Sequence, residues 1–328
     1  MPAISEARQV GKREDLGDML VVADAKDTPV TSMIAKGTKP TNALFGWPVD
    51  DEAKPDTDGV ADGDPASDFD DLSNRAILQG RIQKFRSNPA VSELAEDVST
   101  PAGIASEFAR AKAKSITKVK RSIEARFCSD GDSGKVGTTN TTRGLGKWLQ
   151  STAQSDLPVD AAYRTPAGAI YSSTLAGLLE SDLLAIMQNI FNNTGKKGSW
   201  DCPFGTALKA LVSTFSVHDP NVSNTTIVRR FNAPQSDYEL DTKVDIINGD
   251  FGTLRLFPTL FNGWNNTTKA PDSKRGYILD MSDLKMRVNK APGFKPLPDD
   301  DSGPRGVVSA IVALQVGNPL KHGAVKAT

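Results

Sequence analysis

Residues 13–128 place three unlike segments in order: a polar stretch, a very acidic extended segment and one long helix. The acidic segment, residues 50–71, carries ten acidic side chains against the single base Lys54, which gives a net charge of −9. Because so charged a segment cannot bury a core of its own, the sequence predicts a solvated loop or hairpin tip here. Regular structure inside it is interrupted at Pro55, Gly59, Gly63 and Pro65.

The pattern of residues 101–127 predicts a helix of about seven turns that begins at the pair Thr100-Pro101. Lys112 and Arg126 interrupt its apolar side, so we expect either partial burial or basic side chains that snorkel to water there. The apolar arc consists of Ile104, Phe108, Ile116, Val119, Ile123 and Phe127. The opposite side carries the basic stripe, which consists of Arg110, Lys114, Lys118 and Arg121.

The rest of the chain predicts an α+β fold. Two further Thr-Pro pairs, at Thr28 and Thr165, predict helices at 29–36 and 166–191, and helical spacing favours a third at 203–215. After Ser216 the period changes to two, which is typical of strands. Strands are predicted at 76–85, 226–231, 243–247, 251–257, 276–280, 284–288 and 307–316.

The spacing of these strands also predicts how they connect. Asn248-Gly249 favours a tight hairpin between 243–247 and 251–257. The strands at 276–280 and 284–288 are expected to pair with each other, and 307–316 is expected to close against the core. A loop is predicted at 291–304, and a short tail after Pro319.

Composition excludes several classes of protein. The chain has 328 residues with 39 Lys and Arg against 40 Asp and Glu, so no global field steers it to nucleic acid. Its two cysteines, Cys128 and Cys202, are too few for a disulfide framework. Because no apolar run reaches the roughly 18 to 20 residues that span a bilayer, we expect no membrane partner.

Catalytic motifs are missing from the sequence. The two histidines, His218 and His322, are expected in solvated loops, and no nucleophile or phosphate-loop motif has the required spacing. Acidic turns near Asp56 and Asp62 lack the ligand order of a calcium loop. The sequence therefore predicts no enzyme, no cofactor and no metal site. A carboxylate-dependent hydrolase stays an alternative, since forty acids could supply a catalytic pair.

Several motifs resemble those of the major capsid proteins of tailed bacteriophages. They are the run REDLGDMLVVADAKDTPVTSMIAKG at 13–37 followed by Trp47, Arg143-Gly144-Leu145-Gly146, Asp250-Phe251-Gly252-Thr253-Leu254, and Leu279-Asp280-Met281. The chain departs from that family's pattern near its C-terminal end, at 299–303 and Ala310. The resemblance touches most of the chain, but 155–248 carries little of it.

The resemblance implies the capsid fold that tailed phages share with encapsulins and the herpesvirus capsid floor. Its parts would be an N-terminal arm at 1–39, an extended loop at 40–85, and an axial domain at 146–301. A peripheral domain would combine 86–145 with 302–328 and contain the spine helix 101–127.

The function implied is that of a structural major capsid protein. Copies would self-assemble into pentamers and hexamers that form an icosahedral or prolate head around double-stranded DNA. Portal and head-completion proteins would be partners, with separate scaffold or decoration proteins, and assembly would take place in the host cytoplasm before the protein enters the virion. The alternatives are an encapsulin-like compartment shell, the hydrolase above, or a tail or adhesion protein.

Two sets of residues are candidates for these contacts. The acidic segment is expected to dock on bases of a neighbouring subunit, with aromatic rings supplying more of the binding energy. The candidate interface residues are Phe45, Trp47, Asp62, Asp64, Asp68, Arg81, Lys84 and Phe85. The basic stripe is a candidate DNA-facing surface through charge neutralisation, and it equally fits an ordinary solvated helix face.

Overall fold

The computed structural model describes residues 28–52, 55, 57–59, 62, 75–97, 106–215, 244–298 and 303–328. In these ranges the α-helices are α1 Pro29–Met33, α2 Glu93–Asp97, α3 Glu107–Phe127, α4 Leu145–Trp148, α5 Glu180–Thr194 and α6 Thr206–Thr214. The strands are β1 Ala35–Lys36, β2 Leu44–Val49, β3 Ala76–Arg81, β4 Gln83–Ser87, β5 Gly134–Val136, β6 Thr139–Thr141, β7 Ile170–Tyr171, β8 Gly198–Phe204, β9 Ile246–Gly249, β10 Gly252–Pro258, β11 Arg275–Ile278, β12 Leu284–Pro296, β13 Gly306–Val316 and β14 Gly323–Lys326. The α+β class is confirmed.

α3 packs across a four-stranded sheet of order β1-β12-β13-β4. β13 is a central strand of this sheet, and most of its side chains are buried on both faces. Val308, Val312 and Val316 share one core with Ile123 and Phe127 of α3. The predicted closing strand at 307–316 is therefore confirmed.

A six-stranded sheet of order β7-β14-β11-β8-β10-β9 carries a second core. α5 covers it with Leu183, Met187 and Ile190, which lie in one cluster with Trp200 of β8 and Val325 of β14. The hairpin of β9 and β10 is confirmed, but Gly249 lies opposite Gly252. The turn is therefore Asp250-Phe251 instead of the predicted Asn248-Gly249.

α3 begins later than the sequence pattern predicts. Ser106 is extended, with φ −156° and ψ 121°, and its Oγ accepts a hydrogen bond from Ala109 N at 3.1 Å. Ser106 is thus the N-cap, and the helix starts at Glu107 instead of at Pro101. The predicted cap Thr100 lies outside the described residues.

The predicted apolar arc of α3 is confirmed in its C-terminal half, where Val119, Ile123 and Phe127 are buried. Lys112, which interrupts the arc, places its Nζ 4.5 Å from the centre of the Phe294 ring. The long side chain of Lys112 thus makes a cation–π contact with an aromatic ring on the apolar side of α3.

The helix predicted at 29–36 is wrong beyond Met33. Ile34 is extended, and Ala35–Lys36 forms β1, which pairs in parallel with β12. Glu124 of α3 fixes the start of α1, because its Oε1 accepts from Val30 N at 2.9 Å and its Oε2 accepts from Thr31 N at 2.7 Å.

The helix predicted at 166–191 is also wrong in its first half. The described chain there forms 3₁₀ turns at Ala167–Ala169 and Leu175–Gly177, with β7 between them. β7 pairs in parallel with β14, so a distant partner overrides the local pattern. Similarly, residue 203 belongs to β8, and only α6 remains of the helix predicted at 203–215. The strand predicted at 226–231 lies outside the described residues.

Three predictions about the C-terminal third are wrong. β11 pairs with β14 and β8, whereas β12 pairs with β1 and β13, so the strands at 276–280 and 284–288 are not partners. β12 continues to Pro296 through the predicted loop, with register shifts between Val288 and Gly293. The expected tail contains Gly323–Lys326, which is a largely buried strand.

β2 and β3 form a two-stranded antiparallel ribbon that leads into the acidic segment. The predicted strand 76–85 is interrupted at Ile82, so it supplies β3 to the ribbon and β4 to the first sheet. Val49 and Leu78 bury the inner face of the ribbon in the first core. The base of the predicted extended loop is thus packed on its own chain.

Candidate assembly surfaces

The aromatic candidates for an interface are committed to the chain's own core. Trp47 is 7% exposed, and its Nε1 donates to Gly317 O at 2.9 Å. Its ring centre lies 5.7 Å from that of Phe45 and 5.7 Å from that of Trp148. Phe85 is also 7% exposed and belongs to the same core. This placement favours a role in folding for Trp47 and Phe85.

The outer face of the ribbon presents a different apolar group. Ile77 is 71% exposed and pairs across the ribbon with Pro48, while Gly46 lies beside it. We call Gly46, Pro48 and Ile77 the ribbon face. Ile77 belongs to the predicted strand 76–85, in which Ile77 and Gln79 alternate with Leu78 and so lie on the opposite face of the ribbon from it.

Of the three acidic candidates, the structure describes one. Asp62 is exposed, whereas Asp64 and Asp68 lie outside the described residues. Arg75 Nε donates to Asp50 Oδ2 at 2.8 Å, which joins the first residue of the acidic segment to the residue before β3. Both side chains are largely exposed, so this pair aligns the ribbon more than it stabilises it.

Arg81 connects the ribbon to the body of the protein. Its Nε and Nη2 donate to the two carboxylate oxygens of Asp156 at 2.9 and 3.2 Å. The hydrogen bonds from Arg81 lower the pKa of Asp156 below its usual value. Lys84, the other basic candidate on the returning chain, is exposed.

A buried arginine, which sequence reasoning quoted only as part of a motif, organises this junction. Arg143 is 1% exposed, donates to Asp132 Oδ1 at 2.8 Å and to Leu157 O at 2.9 Å, and stacks on Trp148. It also donates to Asp156 O, next to the carboxylate that holds Arg81. Burial lowers the pKa of Arg143.

The basic stripe lies along one side of α3, as its spacing predicts. Lys114 and Lys118 are exposed, and Arg110 Nη1 lies 3.8 Å from Glu107 Oε2. Arg121 is half-buried and, with Lys118, lines a groove beside the helix. The structure therefore divides the stripe into a first half on open surface and a second half at the groove.

The prediction that His322 lies in a solvated loop is wrong. His322 is fully buried, its Nδ1 accepts from Asp280 N at 3.1 Å, and its Nε2 lies 3.4 Å from Asp283 Oδ2. Burial alone would raise the pKa of Asp283, but the hydrogen bonds from His322, Lys321 and Asn318 N hold it well below its usual value. His322 thus fastens the C-terminal strand, and His218 lies outside the described residues.

Other chemistries find no support among the described residues. Within those ranges, no group of three or more His, Cys, Asp or Glu side chains could hold a metal ion. No helix in the described part of the chain is long and apolar enough to cross a membrane. Cys128 and Cys202 are free thiols, and burial raises the pKa of both well above the usual value.

A long helix across one sheet, a second sheet under its own helix and a ribbon ending in an acidic segment together define the capsid fold of tailed phages. The capsid of Cyanophage P-SCSP1u has a similar fold, with a TM-score of 0.60 and 13% identity over 94% of this chain and 91% of that chain. A chain from Mycobacterium phage Cain gives a TM-score of 0.61 and 15% identity over 100% and 99% of the two chains. The capsid of an empty GTA particle gives 0.61 and 11% over 98% and 96%.

The chain belongs to the SU10 major capsid protein family, whose sequence model matches residues 3–328. It is therefore a structural protein of a virion capsid. No curated protein matches the chain.

Proposed function

We propose that copies of this chain assemble into pentamers and hexamers and close an icosahedral or prolate head around double-stranded DNA. The observation that carries this proposal is the ribbon, which presents exposed Gly46, Pro48 and Ile77 outside the chain's own cores. Surfaces of this kind gain order and burial when they lie on a neighbouring copy. In this proposal the head encloses DNA and has no catalytic role.

The division into arm, extended loop, peripheral and axial domains is part of the proposal. The sheet pairings support two changes to the boundaries expected from sequence. β12 pairs with β13, so we assign 284–298 to the peripheral domain. β14 pairs with β11 and β7, so we assign 323–328 to the axial domain.

The interface in this proposal consists of the ribbon face, the acidic segment with Asp62, Asp64 and Asp68, and the exposed base Lys84. Each exposed ion pair contributes up to about 1 kcal/mol, so the acids set the register while apolar contacts supply more of the strength. Charge reversal of the three acids should lower assembly yield, and an unchanged yield would contradict this part of the proposal.

The basic stripe is the candidate DNA contact in this proposal. Exposed Lys114 and Lys118 suit neutralisation of phosphates without reading sequence. Neutralising Arg110, Lys114, Lys118 and Arg121 together should reduce the DNA content of heads, and unchanged packing would identify an ordinary solvated face. Portal, head-completion and separate scaffold or decoration proteins, and assembly in the host cytoplasm, complete the proposal.

Electron microscopy of the purified chain tests the proposal most directly. We expect closed particles in negative stain and nuclease-protected double-stranded DNA in particles recovered from infected cells. Particles that hold enzymes in place of DNA would support the encapsulin-like alternative, whose shell has the same architecture. A small oligomer at every concentration would contradict the shell.

A further inference from the structure

A crevice of about 260 Å³ opens between α1, α3 and β12, beside Thr28, the first residue that the structure describes. Its apolar lining consists of Ile123, Met286, Val288, Ala291, Pro292 and Val312. The hydroxyl groups at the crevice are already bonded within α1, since Thr31 Oγ1 donates to Thr28 O at 3.4 Å and Ser32 Oγ donates to Pro29 O at 2.8 Å. The crevice therefore offers a mainly apolar surface to an occupant.

One wall of the crevice comes from an irregularity in β12. The register with β13 shifts twice between Val288 and Gly293, so Ala291 and Pro292 have no residue opposite them in β13. Such a bulge bends the strand and turns its side chains out of the regular alternation. Pro292 suits this position because it has no N–H group to donate to a neighbouring strand. The crevice is thus built into the sheet of each single chain.

The chain that leads into the crevice carries a matching apolar run. This run, Met19 to Ala23, is separated by only four residues from Thr28, which itself lines the crevice. Even a fully extended connection from Ala23 to Thr28 spans at most about 18 Å. A cavity of about 150 Å³ accommodates one benzene-sized group, so this crevice has room for about two aliphatic side chains. The position and the size of the run therefore both fit the crevice.

Charges next to the run complement those at the crevice. Of the described residues that line it, the charged ones are Lys36 and Lys120, and both are exposed. Asp24 follows the run directly, and Asp27 precedes Thr28. Exposed ion pairs add little strength, so these acids would orient the connection while the apolar side chains supply most of the binding.

We propose that the apolar run, residues 19–23, occupies the crevice of its own copy and anchors the arm to its own subunit. A run tethered so close to its site acts at an effective concentration on the order of millimolar, whereas the run of another copy must first be brought there. Only residues 1–18 would then remain to reach a neighbouring copy, over at most about 60 Å. This last consequence rests on the proposed function, whereas the anchor itself is a property of the single chain.

Engineered disulfides test the anchor in the full chain. Leu20→Cys and, separately, Val21→Cys are combined with Ala291→Cys, because adjacent residues of an extended chain face opposite sides and one of them should meet the wall. The control pairs each run cysteine with Ala35→Cys. Ala35 is exposed, is closer to the run along the chain and does not line the crevice. With at least one of the two run cysteines, the Ala291 pair should oxidise at least about fivefold faster than the control pair.

Limited proteolysis gives an independent readout. Trypsin cleaves after lysine, and Lys26 lies between the run and α1, so an anchored run should protect this bond. Leu20→Ser with Val21→Ser should speed cleavage at Lys26 at least about tenfold. The matched control, Val10→Ser with Leu16→Ser, makes the same two changes in the arm outside the run and should stay within about twofold of the unmodified chain.

The outcomes separate the anchor from its alternatives. Equal oxidation of the Ala291 and Ala35 pairs, or equal cleavage of the two serine variants, would overturn the inference. Oxidising a mixture of isotope-labelled and unlabelled copies identifies the source of the run, and disulfides to Ala291 that mainly join two copies would also overturn it. These measurements use unassembled protein, so failure of the proposed shell function would appear separately, as the absence of particles from the unmodified chain.

Discussion

The two segments that were expected to lack a core, the end of the arm and the extended loop, are both attached to the body, by opposite chemistry. α1 is held by one buried carboxylate, Glu124, which accepts two backbone N–H groups. The ribbon is held by the indole of Trp47, which packs among rings, and by the partly buried ion pair of Arg81 and Asp156. The attachment of α1 therefore depends on a buried carboxylate, whereas that of the ribbon depends on apolar contact and a partly buried ion pair.

Because of this difference, a fall in pH should change the stability contributions of the two attachments in opposite directions. Burial raises the pKa of Glu124, so its contribution to stability is full at low pH and is lost as pH rises through its folded pKa. The hydrogen bonds of Arg81 lower the pKa of Asp156, so that contribution is present above the unfolded pKa and is lost as pH falls. Lowering the pH should therefore weaken the attachment of the ribbon and strengthen the attachment of α1.

The largest effect is expected at the ribbon's apolar anchor. Trp47→Ala removes a buried ring and the donor to Gly317 O, and should lower the free energy of unfolding by about 3–5 kcal/mol. Trp47→Phe keeps most of the ring and should lose about 1 kcal/mol. Thermal and urea unfolding measure both, with Gln79→Ala on the exposed side of the ribbon as control. Equal stability of the Ala variant and the control would show that the ribbon is not part of the core.

The next effect is expected at Glu124. Glu124→Ala leaves the N–H groups of Val30 and Thr31 without an acceptor and should cost about 2 kcal/mol at neutral pH. Protease cleavage near α1 should increase at the same time. Glu107→Ala, a partly exposed carboxylate of the same helix, is the matched control and should change the unfolding free energy by less than about 0.5 kcal/mol.

The pH dependence sharpens the same comparison. Glu124→Gln cannot ionise, so the difference in unfolding free energy between unmodified chain and variant should shift in favour of the unmodified chain as pH falls through the raised pKa. Urea unfolding from pH 4 to pH 8 measures this difference. A shift in the other direction would mean that the hydrogen bonds outweigh burial at this carboxylate.

The elements that local sequence predicted well are those whose burial is periodic. Val119, Ile123 and Phe127 recur at helical spacing, and β13 is apolar except at Ser309 and Gln315, so both elements could be placed from the sequence. β12 was missed beyond Val288 because Pro292 locally resembles a loop. Its continuation is held by pairing with β13, where Gly293 lies opposite Ser309, and the local pattern does not reveal this pairing.

The sequence separation of contacting residues also explains which candidate surfaces were predicted and which were missed. The basic stripe depends only on helical spacing and was found. His322 and Asp283 are 39 residues apart, and neither has a neighbour in sequence that marks it as buried. Trp47 was assigned to an interface because it lies in the extended loop, yet its partner Gly317 is 270 residues away. Contacts between residues so far apart in sequence determine which aromatic rings are buried and which remain exposed.

A smaller effect is expected at the ion pair of the ribbon. Asp156→Asn should lower the unfolding free energy by about 0.5–1 kcal/mol at neutral pH, because both side chains retain some exposure to water. The cost should begin to shrink below about pH 4, the ordinary pKa of an aspartate, and should disappear once the pH falls through the lowered pKa of Asp156. Arg81→Lys, which keeps charge without the two-pronged geometry, should lose about half as much. A cost that persists unchanged at low pH would contradict the assignment to charge.

The smallest effect on the single chain is expected at the ribbon face, and it separates folding from assembly. Ile77→Asp places a charge on a side chain that is 71% exposed, so the free energy of unfolding should change by less than about 0.5 kcal/mol. Particle yield should still fall, because the new carboxylate would be buried against a neighbouring copy. Sedimentation of assembled and unassembled protein measures the yield, with Val136→Asp as the control, because Val136 is an apolar side chain of β5 that is 82% exposed and lies outside the ribbon face. If both variants assemble like the unmodified chain, the ribbon face contacts only water, and binding between copies must come from the acidic segment.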